Sequence, residues 1–122
     1  MPFTLAVDFD QTLFNDSIPN SDVIKKVREF KKAGAEIALW TCREGTLLEE
    51  AISLLKNAGL KFDSINENTP SAQKFIDQKK EDGIELATRK IMTDFYVDDK
   101  ACNIQFFLNI DVKETCAKFA DR

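Results

Sequence analysis

Acidic side chains follow two apolar segments of the chain, at the point where each segment ends. Asp8 and Asp10 end the first segment, and Asp98 and Asp99 follow a later one. Side chains two residues apart on a strand point to the same side, so Asp8 and Asp10 are expected to face the same way. Four carboxylates at one place would repel each other unless a cation lay among them, and Mg²⁺ suits such oxygen ligands. The sequence therefore predicts a magnesium site.

The chain contains no histidine. This absence excludes a histidine-dependent triad, an HExxH zinc site and an imidazole base. An aspartate is then the natural nucleophile, forming an aspartyl phosphate, and a second aspartate two residues on can protonate the leaving oxygen and later activate water. Phosphoryl transfer also needs hydroxyl and cationic groups, for which Thr41 and Lys90 are predicted. Cys42 has no histidine to activate it, so a thiol mechanism is not expected.

The size and charge of the chain are those of an ordinary globular protein. Its 122 residues fit one domain, spanning 1–122. The net charge of −4 gives no sign of a polyanion-binding surface. Its three cysteines show no metal-binding spacing, which favours free thiols in a reducing, cytoplasmic compartment. No apolar stretch approaches the ~20 residues of a membrane span, and no signal peptide is expected.

The elements that must position these residues alternate between strands and helices. Strands are predicted over residues 3–9, 35–41, 60–66, 94–97 and 104–108. Helices are predicted from the Asn20 cap to Gly34 and over residues 47–59, 71–80 and 112–119. This alternation predicts an α/β fold, a Rossmann-like three-layer sandwich around a mostly parallel sheet of about five strands. Ligands bind beyond the carboxyl ends of such strands, where the acids and Thr41 lie, whereas Trp40 is expected in the core.

Three segments also resemble motifs of the haloacid dehalogenase (HAD) superfamily. The run Leu5 to Thr12, ending in the pattern DxDxT, is similar to its first motif. The run Ile37 to Thr41 resembles its second motif, and Tyr96 to Asp99, apolar residues followed by two acids, resembles its fourth. Lys90 stands where the lysine of the third motif is expected. The motifs occur in the order typical of the superfamily.

The resemblance implies a role for each of these residues. Asp8 would be the nucleophile, and Asp10 the general acid and base, with its backbone carbonyl on the metal. Thr41 and Lys90 would hold the transferred phosphoryl group. A one-turn segment would follow the first motif at residues 12–16. The implied Mg²⁺ ligands are Asp8, Asp10, Asp98 and Asp99.

The same motifs leave some assignments open. Gln11 stands where many phosphatases of the superfamily have glycine, which would narrow the approach to the nucleophile. Lys74 and, less favoured, Arg89 are alternatives to Lys90. Predicted substrate-binding residues are Thr12, Arg43 and Gln11.

The spacing of the motifs leaves no room for a large cap domain. About ten residues separate the first motif from the first long helix, and residues 67–90 fit only a helix and a loop. The resemblance then implies no cap or a minimal one. Members of this kind act on large substrates or use a neighbouring subunit, so a homo-oligomer covering the site is an expectation.

The resulting hypothesis is an Mg²⁺-dependent phosphoester hydrolase. Its substrate would be a phosphorylated small molecule or the phosphorylated end of a macromolecule, with no membrane partner. The alternatives are a phosphotransferase on the same fold and a non-catalytic module that binds Mg²⁺ and phosphate. A receiver-like domain is disfavoured because receivers carry their phosphorylated aspartate on the third strand.

Overall fold

The computed structural model describes residues 1–85, 90–101 and 103–122. In these ranges the chain forms one four-stranded parallel sheet, one small hairpin and five α-helices. The strands are β1 (Thr4–Val7), β2 (Phe14–Asn15), β3 (Ile18–Pro19), β4 (Glu36–Leu39), β5 (Ser64–Ile65) and β6 (Phe95–Val97). The helices are α1 (Ser21–Lys32), α2 (Gly45–Asn57), α3 (Pro70–Glu81), α4 (Ile104–Leu108) and α5 (Val112–Ala120). A 3₁₀ turn, Asp99–Ala101, follows β6.

The order of the strands places β1 inside the sheet. The order is β5-β4-β1-β6, and every neighbouring pair is parallel. The chain therefore moves outward from β1 through β4 to β5, and then returns to the other side of β1 for β6. Right-handed crossovers place helices on both faces of a sheet with this order. The predicted three-layer α/β sandwich is confirmed.

One face of the sheet carries the main core. Leu5, Val7, Ile37 and Leu39 are buried here with residues of α1, α2, α4 and α5. The ring of Phe30 stacks on Phe3 and Phe107, with centroids 5.5 and 5.6 Å apart. Burying a side chain of this size contributes about 1.5–3 kcal/mol. This face is the principal source of stability.

The opposite face is smaller and partly polar. Ala6, Ala38 and Ile91 form its apolar cluster. Helix α3 is held near this face by Glu36 of β4, whose carboxylate accepts hydrogen bonds from the Ser71 backbone N–H at 2.9 Å and the Ser71 hydroxyl at 2.7 Å. The predicted helix over residues 71–80 is confirmed as α3.

Three predictions about the elements are wrong. Residues 104–108 form helix α4 rather than a fifth strand, and the Phe107 N–H donates to the Asn103 carbonyl at 2.9 Å. A short apolar run fits a strand or one buried helical turn equally well, and packing against α1 selects the helix. Trp40 is 36% exposed because β4 ends at Leu39. The strand predicted over residues 60–66 contains only the two residues of β5.

The connections at the carboxyl edge of the sheet are small, as predicted. Between β1 and α1 lies only the hairpin of β2 and β3, with two residues in each strand. Within the described ranges, α3 is the only regular element between β5 and β6. No helix in these ranges is both long enough and apolar enough to cross a bilayer.

Candidate active site

Three carboxylates converge where β1 and β6 end. The backbone N–H of Asp8 donates to the Val97 carbonyl at 3.0 Å, which continues the pairing of the two strands beyond their last residues. Asp98 and Asp99 follow β6 directly. One oxygen atom from each of Asp8, Asp98 and Asp99 lies within 4.8 Å of the others. The predicted meeting of these three residues is confirmed.

This meeting point is also the topological switch point of the sheet. From β1 the chain moves to one side, towards β4, and β6 lies on the other side. In open α/β sheets, ligands bind in the crevice that such a reversal creates outside the carboxyl ends of the strands. The carboxylate cluster therefore lies where the fold itself favours a ligand site.

The buried hydroxyl of Thr12 connects two of the three carboxylates. It accepts a hydrogen bond from the Asp99 backbone N–H at 3.0 Å. It also lies 3.2 Å from Oδ2 of Asp8 and 3.4 Å from Oδ1 of Asp99. A hydroxyl has one proton and can donate to only one of these oxygens at a time. Thr12 therefore holds the cluster together, and its predicted contact with substrate stays a prediction.

The surroundings of Asp8 disfavour its ionised form. Burial, followed by the negative charge of Asp98, raises the pKa of Asp8 from its ordinary value of 3.8 to about 6. Asp99 adds a smaller repulsion, and hydrogen bonds from Thr12 and the Phe9 backbone only partly offset these effects. A cation at the cluster would counteract both the burial and the repulsion, and would lower the pKa of Asp8.

The donor set fits Mg²⁺. All three groups offer carboxylate oxygens, with no sulfur or imidazole nitrogen among them. Mg²⁺ takes oxygen ligands, commonly one or two carboxylates together with waters and phosphate oxygens. The expected ligation by the Asp10 backbone carbonyl stays a prediction.

The carboxylate of Asp10 does not join the cluster, so the predicted convergence of four carboxylates is wrong. The prediction extended strand geometry through Asp10, but β1 ends at Val7. The chain then turns through Gln11, which has a left-handed φ of 62° and donates its N–H to the Phe14 carbonyl at 2.8 Å. Strand geometry therefore does not continue as far as Asp10.

The partner of Asp10 is Arg43. Its Nη2 and Nε donate to Oδ1 and Oδ2 of Asp10 at 2.8 and 3.0 Å, which makes the ion pair bidentate. The guanidinium also lies over the Phe9 ring, 4.7 Å from its centroid, and Nη1 donates to the Leu47 carbonyl at 3.2 Å. The hydrogen bond to Asp10 raises the pKa of Arg43. The predicted substrate residue Arg43 therefore lies directly beside the predicted acid and base.

Thr41 lies beside Arg43 and contacts its backbone. Its hydroxyl accepts a hydrogen bond from the Arg43 backbone N–H at 3.2 Å. Its own N–H donates to the side-chain oxygen of Asn66 at 2.8 Å. Asn66 follows β5 and has a left-handed φ of 54°. Thr41 is thus fixed at the strand end by a residue that the sequence analysis missed.

Asn103 fixes the backbone at the end of β6 in a similar way, and the sequence analysis did not identify it either. Its side-chain oxygen accepts from the Asp98 N–H at 3.2 Å, and its amide donates to the Tyr96 carbonyl. The available signal for Asn66 and Asn103 was their residue type, because asparagine bonds readily to nearby backbone and tolerates left-handed conformations. The signal did not identify the partner groups.

The predicted lysine of the site lies beside β6. The Lys90 ammonium is 5.5 Å from the centroid of the Tyr96 ring. Lys74 is exposed on α3, and Arg89 lies outside the described residues. Gln11 is exposed at its turn. The roles of Lys90, Lys74 and Gln11 towards substrate stay predictions.

Comparison with known proteins supports the fold. The chain is similar to a conserved protein of Bacteroides thetaiotaomicron of known structure, with a TM-score of 0.62 and 26% sequence identity. The match covers 82% of this chain and 78% of that one. That protein is described only as conserved, with no activity. No protein-family model and no curated protein matches the chain.

Proposed function

We propose that the protein is a phosphoester hydrolase that requires Mg²⁺ and acts through an aspartyl phosphate on Asp8. The observation that carries the proposal is the group Asp8, Asp98 and Asp99 at the switch point of the sheet, with the pKa of Asp8 raised to about 6 by burial and repulsion. Strongly perturbed carboxylates at a ligand-binding edge are typical of catalytic sites. The resemblance of the motifs to the HAD superfamily supports the same chemistry.

The proposed metal site uses the three carboxylates of that group, with the Asp10 backbone carbonyl as a further ligand. Bound there, Mg²⁺ would offset part of the negative charge of the carboxylates and the phosphoryl oxygens, which favours the ionised form of Asp8. A cation bound among the three carboxylates would offset the repulsion between them. The proposal of Mg²⁺ as the cofactor therefore rests on the carboxylate cluster.

The chemistry is a double displacement at phosphorus. An Asp8 carboxylate oxygen attacks phosphorus while the bond from phosphorus to the ester oxygen breaks, and Asp10 gives its proton to that leaving oxygen. Water then attacks the phosphorus of the aspartyl phosphate, and its proton passes to Asp10. The bond from phosphorus to the Asp8 oxygen breaks, which releases inorganic phosphate and regenerates the Asp8 carboxylate. Thr41 and Lys90 are the proposed groups that hold the phosphoryl oxygens.

The test is hydrolysis of an aryl phosphate and a panel of phosphomonoesters, with Mg²⁺ or with a chelator. We expect turnover only with Mg²⁺, and a loss of at least about a hundredfold in Asp8→Asn and Asp10→Asn. Asp77→Asn, the same change on the exposed face of α3, is the control and should leave turnover unchanged. Turnover that survives chelation, or survives Asp8→Asn, would contradict the mechanism.

One observation favours an alternative without turnover. Both oxygens of Asp10 are engaged by Arg43, so the group that hydrolysis needs for proton transfer already has a partner. In a non-catalytic module, this pair would be structural, and the protein would bind Mg²⁺ and phosphate without cleaving esters. Wild-type protein that binds both ligands by calorimetry but hydrolyses no ester in the panel would favour the module.

A further inference from the structure

We infer that Arg43 recognises a second anionic group on the leaving side of the substrate. The preferred substrates would then be phosphomonoesters that carry a carboxylate or another phosphate near the ester oxygen. The inference rests on the proposed function, because it takes the leaving oxygen to lie at Asp10. It adds the class of substrate, which the metal cluster alone does not define.

The Arg43 side chain is held in place before any ligand arrives. Asp10 binds one edge of the guanidinium, the Leu47 carbonyl binds Nη1, and the Phe9 ring lies beneath the plane. Only 21% of the side chain is exposed. An arginine that is already ordered loses little conformational entropy when it binds an anion, and this increases affinity.

The guanidinium still has donors to offer. Of its five N–H groups, Asp10 takes Nε–H and one N–H of Nη2, and the Leu47 carbonyl takes one N–H of Nη1. Within the part of the chain that the structure describes, one N–H at each Nη has no protein acceptor. A planar group with spare donors on both Nη atoms suits a carboxylate or a phosphate.

The position of Arg43 beside Asp10 indicates which part of the substrate it meets. In the proposed chemistry, the Asp10 carboxylate contacts the leaving oxygen, whereas Thr41 and Lys90 contact the transferred phosphoryl group. Arg43 nitrogens lie 2.8 to 3.3 Å from the Asp10 oxygens. Three hydrogen bonds, from the ester oxygen to Asp10, from Asp10 to Arg43 and from Arg43 to the anion, keep the anion within about 9 Å of the ester oxygen. Arg43 is therefore on the leaving-group side.

The surrounding charge strengthens this selectivity. The cluster of Asp8, Asp98 and Asp99 repels any additional negative group, so an anionic leaving group needs a nearby cation. The Asp10–Arg43 pair is partly exposed, with side chains 50% and 21% accessible. An anion can therefore approach the guanidinium from solvent while Asp10 stays bound to it. An anionic leaving group thus gains a charge-assisted contact that a neutral one lacks.

The kinetic test uses two substrates that differ only at this group. In 3-phosphoglycerate a carboxylate stands two carbons from the ester oxygen, and glycerol 3-phosphate has a hydroxymethyl group in the same place. We expect wild-type kcat/KM to favour the first by about 10- to 100-fold, the effect of one charge-assisted hydrogen-bonded pair. In Arg43→Gln the ratio should fall to about one, mainly through a higher KM for 3-phosphoglycerate, and Arg43→Lys should retain part of it.

The ratio of the two kcat/KM values distinguishes recognition of the anion by Arg43 from the effect of Arg43 on Asp10. Loss of the Asp10 partner affects both substrates alike and cancels in the ratio. Arg28→Gln is the matched control, because Arg28 lies in α1 beside Gly59, which follows α2, and its ratio should equal that of the wild type. An Arg43→Gln ratio equal to the wild-type ratio would overturn the inference and leave Arg43 with a purely structural role.

A binding experiment keeps the inference testable without turnover. The two ligands are titrated by calorimetry into Asp8→Asn and into the double variant Asp8→Asn, Arg43→Gln. Tighter binding of 3-phosphoglycerate in the first protein alone supports the inference, even if the wild type hydrolyses nothing and the proposed function fails. Equal binding of both ligands to Asp8→Asn refutes it, even if the wild type is an active phosphatase.

Discussion

Replacing Asp8 by asparagine should stabilise the metal-free protein at neutral pH while it abolishes the proposed activity. Burial and the charge of Asp98 raise the pKa of Asp8 to about 6, so ionised Asp8 destabilises the folded state. Asparagine has nearly the same shape, retains an oxygen that can accept a hydrogen bond from Thr12, and carries no charge. The substitution therefore removes the repulsion and keeps most of the contacts.

The magnitude follows from the difference between the folded and unfolded pKa values. A rise from 3.8 to about 6 corresponds to about 3 kcal/mol. Because Asp8 is only partly buried, solvent screening reduces the expected effect to about 1–2 kcal/mol. Below pH 3.8 the carboxyl is protonated in both states and has no cost, and above about pH 6 the cost is complete. Wild-type stability should therefore fall between these two pH values, and Asp8→Asn should lack this fall.

The assay is urea denaturation in the presence of a chelator, at several pH values from about 4 to 8. The free energy of unfolding of Asp8→Asn should exceed that of the wild type by about 1–2 kcal/mol at pH 8, and by almost nothing at pH 4. Asp77→Asn, on an exposed face of α3, is the control and should show a difference that does not vary with pH in this way.

A destabilised Asp8→Asn protein at pH 8 would refute this reasoning, because it would mean that the ionised carboxylate stabilises the fold. A stabilisation that stays constant from pH 4 to 8 would also refute it, since the effect could not then come from the charge. Repeating the series with Mg²⁺ should reduce or reverse the gain, because the wild type then binds a cation that Asp8→Asn binds less well.

Substitutions at three further positions test other parts of the site. Mg²⁺ at a hundredfold excess over its Kd should stabilise the wild type by about 2.7 kcal/mol, which is measured as a rise in melting temperature. Asp98→Asn should lose most of this rise. An equal rise in Asp98→Asn would show that the ion binds elsewhere. Thr12→Val should cost about 1–3 kcal/mol in urea denaturation because it leaves the Asp99 N–H without its acceptor. Thr12→Ser should cost less, and equal losses would show that the hydroxyl is unimportant. Asn66→Ala should lose about 1–2 kcal/mol, from the left-handed φ and the bond to Thr41. Asn66→Gly, which accepts that φ, should lose less, and the reverse order would contradict the role of the backbone conformation.

The parts of the fold that the sequence predicted well are those with a clear period. The helical spacing of Val23, Ile24, Val27 and Phe30 predicted the buried face of α1, and all four residues are buried. The run from Ile104 to Leu108 is too short to show a period, and only its packing against α1 distinguishes a helix from a strand. Local pattern was sufficient where an element is long, and insufficient where it is one turn.

The residues of the candidate site also differ in how well the sequence predicted their positions. Asp8, Asp98 and Asp99 could be predicted because each follows a strand directly, and parallel strands bring their ends together. Asp10 could not, since β1 ends at Val7 and the chain turns at Gln11, where strand geometry no longer applies. Its pairing with Arg43 joins residues 33 positions apart in the sequence, and no periodicity carries that information.

Two partly buried aspartates at opposite edges of the sheet have pKa values shifted in opposite directions. Asp94, just before β6, is also partly buried, which alone would raise its pKa, but hydrogen bonds from Arg122 and Thr4 outweigh burial and lower it. Asp8, at the other edge, is surrounded by more acids, and its pKa is raised. Arg122 thus offsets the burial of Asp94, whereas Asp98 and Asp99 add to the effect of burial on Asp8. This difference supports the proposal that the carboxylate cluster binds a cation.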